Sequence, residues 1–247
     1  MKQFSGKVII ITGASSGIGA ATAIAFSKEG AKLTICGRNK ERLSETAKEC
    51  IENGADVLEI DGDLTEFEHL EPIVNKTVEK FSAIDILVNN AGCGVYESIG
   101  DTKIEDFDML FQILLRAPVF LSKYALPHLK KTKGCIVNVS SVATMISSPN
   151  CVPYKMFKGA LDHFTKGFSS ECSPFGVRVN SINPAHVHTR ILETLEIAEL
   201  EELMKESEAL HHFGIMQPET IADGIKFLCS SPHITGITLP VTSGLSV

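Results

Sequence analysis

Two rhythms of apolar and polar residues run along this chain. Short apolar runs rich in β-branched residues and bounded by glycine, proline or polar clusters read as strands. They fall at Val8–Thr12, Lys32–Cys36, Asp56–Ile60, Ile86–Asn89, Cys135–Val139, Arg178–Ile182 and Thr238–Val241. Between them, apolar positions recur at helical spacing over Ile18–Lys28, Lys40–Asn53, Glu66–Phe81, Ile104–Lys131, Pro153–Ser173 and Pro218–Ser230. Strand and helix in alternation predict a three-layer α/β fold. It is a doubly wound, Rossmann-like parallel sheet with helices on both faces. In such a sheet ligands bind beyond the carboxyl ends of the strands, where the strand order reverses. The Glu-rich stretch Glu193–Glu208, with Leu195, Leu200 and Leu203, reads as a helical lid within a segment around 185–215. A solvated surface helix is the alternative.

Composition narrows the class. A chain of 247 residues with 44% hydrophobic content is long enough for one domain with a buried core, here expected over 1–247. A net charge of −7 disfavours nucleic acid or an acidic membrane as a general partner. Val8–Ile11 is too short for a signal or membrane-spanning run, and the chain ends Leu245-Ser246-Val247 rather than in a peroxisomal tripeptide. The seven cysteines (36, 50, 93, 135, 151, 172 and 229) are scattered without a C-x-x-C pair. This predicts reduced thiols, a cytoplasmic setting, and neither a disulfide framework nor a metal site.

Two motifs carry candidate chemistry. After the first strand comes Gly13-Ala14-Ser15-Ser16-Gly17-Ile18-Gly19. A glycine-rich turn between a strand and a helix N-terminus lets backbone N–H groups approach a pyrophosphate, which the helix dipole favours. Its spacing is G-x-x-x-G-x-G rather than G-x-G-x-x-G, and a tight turn with no ligand is the plain alternative. Downstream, Ser141 is followed by Tyr154 and, four residues on, Lys158. Tyrosine and lysine at i and i+4 share one helix face. A neighbouring ammonium is expected to lower the phenol pKa toward the range useful for acid–base work.

Together these residues resemble the short-chain dehydrogenase/reductase family over nearly the whole chain. Thr12 to Gly19 is similar to its cofactor turn, Asp63 to its adenine-contacting acid and Asn89-Asn90-Ala91-Gly92 to its NNAG motif. Ser141, Tyr154 and Lys158 match its active-site trio, and Asn183-Pro184 with Thr189 its nicotinamide-side segment. The resemblance implies an enzyme transferring hydride between a nicotinamide cofactor and a carbonyl or secondary alcohol. Tyr154 would be the acid–base, Lys158 would hold its pKa down and reach the nicotinamide ribose, and Ser141 would place the carbonyl oxygen. The implied cofactor contacts are Gly13, Ser15, Ser16, Gly17, Ile18, Gly19, Arg38, Asp63, Leu64, Asn90, Ala91, Gly92, Tyr154, Lys158, Pro184, Val187 and Thr189.

Cofactor choice follows from charge. An acid after the second strand would bond the ribose 2′-hydroxyl of NAD and repel a 2′-phosphate. Here Gly37 and Arg38 occupy that place. A guanidinium forks onto phosphate, no local carboxylate opposes it, and the expected cofactor is NADP, with NADPH preferred over NADH. Gly-Arg-Asn at this point resembles NADP-preferring members.

Several positions depart from the family pattern. Leu114 stands where most members carry an asparagine that anchors a water beside the lysine. Pro184-Ala185 replaces Pro-Gly, Thr242-Ser243-Gly244 replaces Asp-Gly-Gly, and Ser230–Gly236 is shorter than usual. Leu114 motivates the alternative of a catalytically weak, NADP-binding member with a regulatory or structural role. His186 and His188 flank Val187 and would face opposite sides of an extended chain, which disfavours a shared metal. His211-His212 are expected at the pocket rim or on the surface. Cys93 and Cys151 border the pocket, and Val95, Tyr96, Met145, Ile146 and Phe213 would give it a mainly apolar wall and an apolar substrate. Excess apolar residues on Ile104–Lys131 and Pro153–Ser173 predict a homodimer or, on the family's habit, a homotetramer.

Overall fold

The computed structural model describes residues 2–95, 97–147, 151–192, 205 and 209–247. Seven parallel strands form one sheet in the order β3-β2-β1-β4-β5-β6-β7. They are β1 (Val8–Thr12), β2 (Lys32–Gly37), β3 (Val57–Asp61), β4 (Ile86–Asn89), β5 (Cys135–Val139), β6 (Arg178–Pro184) and β7 (Thr238–Val241). The helices are α1 (Gly17–Lys28), α2 (Lys40–Glu52), α3 (Leu70–Phe81), α4 (Ile104–Phe111), α5 (Ala117–Thr132), α6 (Val152–Cys172) and α7 (Pro218–Ser230). The strand order reverses between β1 and β4, so a crevice opens beyond their carboxyl ends.

The central strands are buried on both faces, which is why they read as unbroken apolar runs. Along β1, Ile9 and Ile11 enter one core layer with Phe26 of α1, Leu43 of α2 and Ile225 of α7. Ile10 enters the other with Ile73 of α3, Leu121 of α5 and Phe157 of α6. Period-two alternation thus feeds two helical layers from one strand.

The expected long helix 104–131 is interrupted. A π turn, Gln112–Arg116, separates α4 from α5. Although the run Ile104–Thr132 is long and apolar enough to cross a membrane by length and composition alone, Leu110, Leu114, Leu121, Ala125 and Leu129 are buried in the second core layer. The strand expected at 178–182 extends to Pro184, where Pro184 pairs with Val241. The predicted start of the third helix, Glu66–Phe81, is a short 3₁₀ turn, Phe67–His69, before α3. The lid segment expected over Glu193–Glu208 lies, apart from Lys205, outside the described residues, as does Tyr96.

Candidate active site

The glycine turn follows from close packing. Gly13 (φ 67°) and Gly17 (φ 54°) adopt left-handed backbone that disfavours side chains. A Cβ on Gly13 would fall 2.8 Å from Ala91 Cα, and one on Gly19 would fall 2.2 Å from the Gly13 carbonyl oxygen. Thr12 Oγ1 accepts from the backbone N–H groups of Asn90 and Ala91, both at 3.0 Å. Asn90 Nδ2 donates back to the Thr12 carbonyl at 2.8 Å. The turn after β1 and the segment after β4 are therefore one rigid unit. α1 starts at Gly17 with no side-chain cap and no acid in its first turn, so its leading N–H groups are open to an anion.

Ser141 follows β5 and caps a 3₁₀ turn, Val142–Thr144, its Oγ accepting from Ala143 N at 3.1 Å. Tyr154 and Lys158 stand one turn apart near the start of α6. Lys158 is buried, donates from Nζ to the Val139 carbonyl at 2.7 Å, and lies 5.8 Å from the Tyr154 ring centroid. Burial pulls its pKa down to about 8, resisted by Cys93 and Asp162. Tyr154 moves the other way. Burial pushes its phenol up to about 12, a hydrogen bond shared with Ser141 resists, and Cys151 and Cys93 add to the rise. The expected lowering of the tyrosine pKa by the lysine is thus reversed. Desolvation disfavours the phenolate more than its polar surroundings favour it.

Leu114 lies close to Lys158, both near Gly92. It is fully buried in the π turn, its Cδ2 3.3 Å from where a Gly92 Cβ would stand, while Lys158 Nζ would be 3.8 Å from that same point. An apolar side chain therefore occupies the ground beside the lysine.

Beyond the end of β2, Arg38 is not unopposed as expected. Its Nη1 lies 3.6 Å from Asp63 Oδ2 across the β2 and β3 ends. Burial raises the Asp63 pKa, but hydrogen bonds from Thr65 N and Oγ1 and the Arg38 guanidinium outweigh it and hold the carboxyl below its usual range. Gly37 is close to Ser15: a Cβ there would lie 3.0 Å from Ser15 Cβ and Oγ. Arg42, which sequence reasoning missed, joins Arg38 in lining the cleft, and its Nε is buried without a hydrogen-bond partner. The signal was a second arginine four residues after Arg38, in the first turn of α2.

A cleft of about 650 Å³ gathers these groups. Gly13, Ser15, Ser16, Gly17, Ile18, Arg38, Leu64, Asn90, Ala91, Gly92, Ser141, Tyr154, Lys158, Pro184, Val187 and Thr189 all line it. Gly19 and Asp63 do not. Gly19 is spent on packing against Gly13, and Asp63 is turned to Thr65 and Arg38. Val187 is held by a parallel bridge to Met216, and Thr189 Cγ2 would be 3.0 Å from a Cβ on Gly17. Cys93, Cys151, Val95 and Ile146 line the cleft as expected, but Met145 does not and Phe213 is 87% exposed. His211 is buried rather than superficial, its Nε2 accepting from the His186 N–H at 3.3 Å. His186 lines the cleft, its pKa lowered by burial and then by His211 and His188. Lys155, Arg190, Ile191 and Leu245 are further lining residues that no motif marked. Among the described residues no group of three or more His, Cys, Asp or Glu side chains is arranged for a metal.

The family model for short chain dehydrogenases matches residues 7–199. The chain belongs to the short-chain dehydrogenase/reductase family. It is 35% identical over 244 residues to the meso-2,3-butanediol dehydrogenase of Serratia marcescens, covering 98% of this chain and 95% of that protein. It is 33% identical over 247 residues to the L-fucose dehydrogenase of Bos taurus, covering 98% and 90%. A Caenorhabditis elegans short-chain dehydrogenase/reductase of unknown function, solved with cofactor, superposes with a TM-score of 0.91 at 34% identity, covering 98% of this chain and 96% of that one. Like the rest of the family, this short-chain dehydrogenase/reductase is an NAD(P)-dependent oxidoreductase acting on small alcohols or carbonyls.

Proposed function

We propose that this chain is an NADP(H)-dependent carbonyl reductase or secondary-alcohol dehydrogenase in which Tyr154 is the acid–base. The observation that carries this reading is the meeting of Ser141, Tyr154 and buried Lys158 with the glycine turn in one cleft. The residues fit a dinucleotide: the cradle has no space for a Cβ at Gly13 or Gly19, α1 has an uncapped N-terminus, and two guanidinium groups border the adenosine side. When bound, the nicotinamide supplies or accepts the hydride.

The chain's own residues handle the proton and the charge. With its pKa near 12, Tyr154 is a protonated phenol at neutral pH. It is ready to donate to the oxygen of a carbonyl being reduced. Ser141, its Oγ held by Ala143 N–H, donates to the same oxygen and fixes its place. Lys158, held to the Val139 carbonyl, sets a positive charge beside the growing oxyanion. Oxidation of an alcohol needs the phenolate and is favoured as pH rises.

Arg38, with Arg42 beside it, supports NADP over NAD. The Arg38–Asp63 pair is long and exposed, and such pairs contribute about 0–1 kcal/mol. A charge-assisted bond to a phosphate is worth about 1.5–3 kcal/mol, so a 2′-phosphate outcompetes the carboxylate. Val95, Ile146, Ile191 and Leu245 line the cleft and favour a largely apolar substrate. Exposed Ile104, Phe111, Val152 and Met156 on α4 and α6 support a homodimer or homotetramer joined through these helices, and scattered free thiols favour a cytoplasmic setting. The test is NADPH consumption against a panel of aldehydes and ketones with parent and Tyr154→Phe enzyme. Turnover that Tyr154→Phe abolishes is the expected result; equal turnover by both removes the assignment.

A further inference from the structure

Asp162 lies on α6 one turn beyond Lys158 and two beyond Tyr154, and it is only 8% exposed. A buried carboxylate is unfavourable unless its oxygens are fully hydrogen-bonded. This one is met by three donors. Thr144 Oγ1 and Asn183 Nδ2 donate to Oδ2, both at 2.9 Å, and Ser181 Oγ donates to Oδ1 at 2.8 Å. The donors come from the turn after β5 and from β6, so one side chain ties three elements together.

The tie reaches Ser141. Asn183 Nδ2, which has two hydrogens to give, also donates to the Ser141 carbonyl at 3.1 Å. Thr144 N donates to that carbonyl at 3.3 Å. Thr144 Oγ1 is 3.0 Å from it, but a hydroxyl has one hydrogen, which the charged carboxylate claims. With its carbonyl so held and its Oγ accepting from Ala143, the Ser141 side chain still has its hydroxyl hydrogen to give. Asp162 does not line the cleft, so it touches neither substrate nor cofactor. We propose that Asp162 is a positioning residue of the active site, clamping the Ser141 turn to β6 and keeping a negative charge one helical turn from Lys158. This rests on the assignment of Ser141, Tyr154 and Lys158 to the chemistry.

The groups acting on Lys158 are Val139 O from β5, Cys93 after β4, Tyr154 and Asp162 on α6, and apolar Leu114 from the π turn. The Asp162 charge favours the ammonium, against the desolvation that brings it down to about 8. Neutralising position 162 therefore has two separate consequences, one geometric and one electrostatic.

The experiment compares the full-length parent with Asp162→Asn, Thr144→Val and a core control, Thr77→Val, whose hydroxyl bonds to Thr34 within the fold. Each is measured for Tm, for NADPH dissociation constant by fluorescence, for kcat and KM, and for the pH midpoint of Lys158 acylation mapped by mass spectrometry. Asp162→Asn should lower kcat about tenfold or more with KM within about threefold. It should also move the acylation midpoint down by about half a pH unit or more. Thr144→Val, which keeps the charge, should lower kcat and leave the midpoint in place. Thr77→Val should lower Tm alone. A folded Asp162→Asn enzyme with kcat and midpoint unchanged overturns the proposal. If Asp162→Asn does not fold, an unchanged kcat in Thr144→Val overturns it. A parent without turnover, or an active Tyr154→Phe, defeats the reading of the chemistry instead. The acylation midpoint still decides the Asp162 charge in that case.

Discussion

The proposed chemical region, around Lys158 and Asp162, and the proposed adenosine region, around Arg38 and Asp63, use charge in opposite ways. Lys158 and Asp162 are 4% and 8% exposed, each hydrogen-bonded to fixed partners. Arg38 and Asp63 are 62% and 36% exposed in their side chains and approach only to 3.6 Å. In the first region low dielectric magnifies every charge, which is why burial moves Tyr154 up to about 12 and Lys158 down to about 8. In the second, water screens the pair and leaves the guanidinium available to a better partner. On the proposed assignments, the groups around the chemistry gain from being unable to move, and the recognition group gains from having little to give up when its ligand arrives.

The sharpest way to break this contrast is to strip the chemical region of its proton. Tyr154→Phe keeps the ring and should lower turnover ~10²–10⁴-fold, with NADPH affinity little changed. Steady-state kinetics beside a fluorescence titration checks both halves. The adenosine region should respond less. Arg38→Leu removes the phosphate partner and should reduce the kcat/KM ratio of NADPH over NADH roughly ten- to hundredfold. The loss should shrink as salt rises, whereas the Tyr154→Phe defect should not.

A third test concerns pH. Burial raises Cys36 to about 12 and Cys50, Cys151 and Cys172 to about 11. Above pH 9 the unfolded thiols lose protons that the folded ones keep, so stability falls with rising pH. Lys158 opposes this between about 8 and 10.5, because the unfolded lysine then holds the extra proton. Four thiols outweigh one lysine, and the urea midpoint should be lower at pH 10 than at pH 8.5. Cys36→Ala should flatten the decline; a midpoint independent of pH would show that these thiols are not desolvated.

The smallest effect on turnover is expected at Leu114. Leu114→Asn should lower Tm, since losing a buried leucine costs about 2–5 kcal/mol before the new amide finds partners. If proton delivery past Lys158 limits the enzyme, kcat should rise a few-fold at low buffer concentration. A folded variant with unchanged or lower kcat would show that proton flow does not depend on a polar group at this position.

How much of this could be read beforehand depended on whether the signal was local. β1, β4, β5 and α7 have the limits their apolar runs predict, because burial on both faces or one stripe leaves a direct imprint. The glycine turn and the trio were legible for the same reason: each is a short pattern with its own chemistry. The π turn at 112–116 was not, since the residues around it keep a helical apolar rhythm. Nor was the Arg38–Asp63 approach, which joins positions 25 residues apart through the ends of β2 and β3. The sign of the Tyr154 shift depends on burial, which spacing alone does not report. Asp162 left only its spacing, an acid at i+4 from Lys158; its meaning lay in Thr144, Ser181 and Asn183.

The narrow gap over Gly37 constrains how this protein could change over generations. A carboxylate introduced at position 37, which would favour a ribose 2′-hydroxyl over a 2′-phosphate, would set its Cβ against Ser15 at 3.0 Å. Ser15 belongs to the glycine-rich turn after β1, so a lineage acquiring the acid first would crowd that turn. The favourable order is the reverse: Ser15 shrinks to glycine, which the turn accepts, and the acid follows. The contact predicts an epistatic pair in which one change waits upon the other.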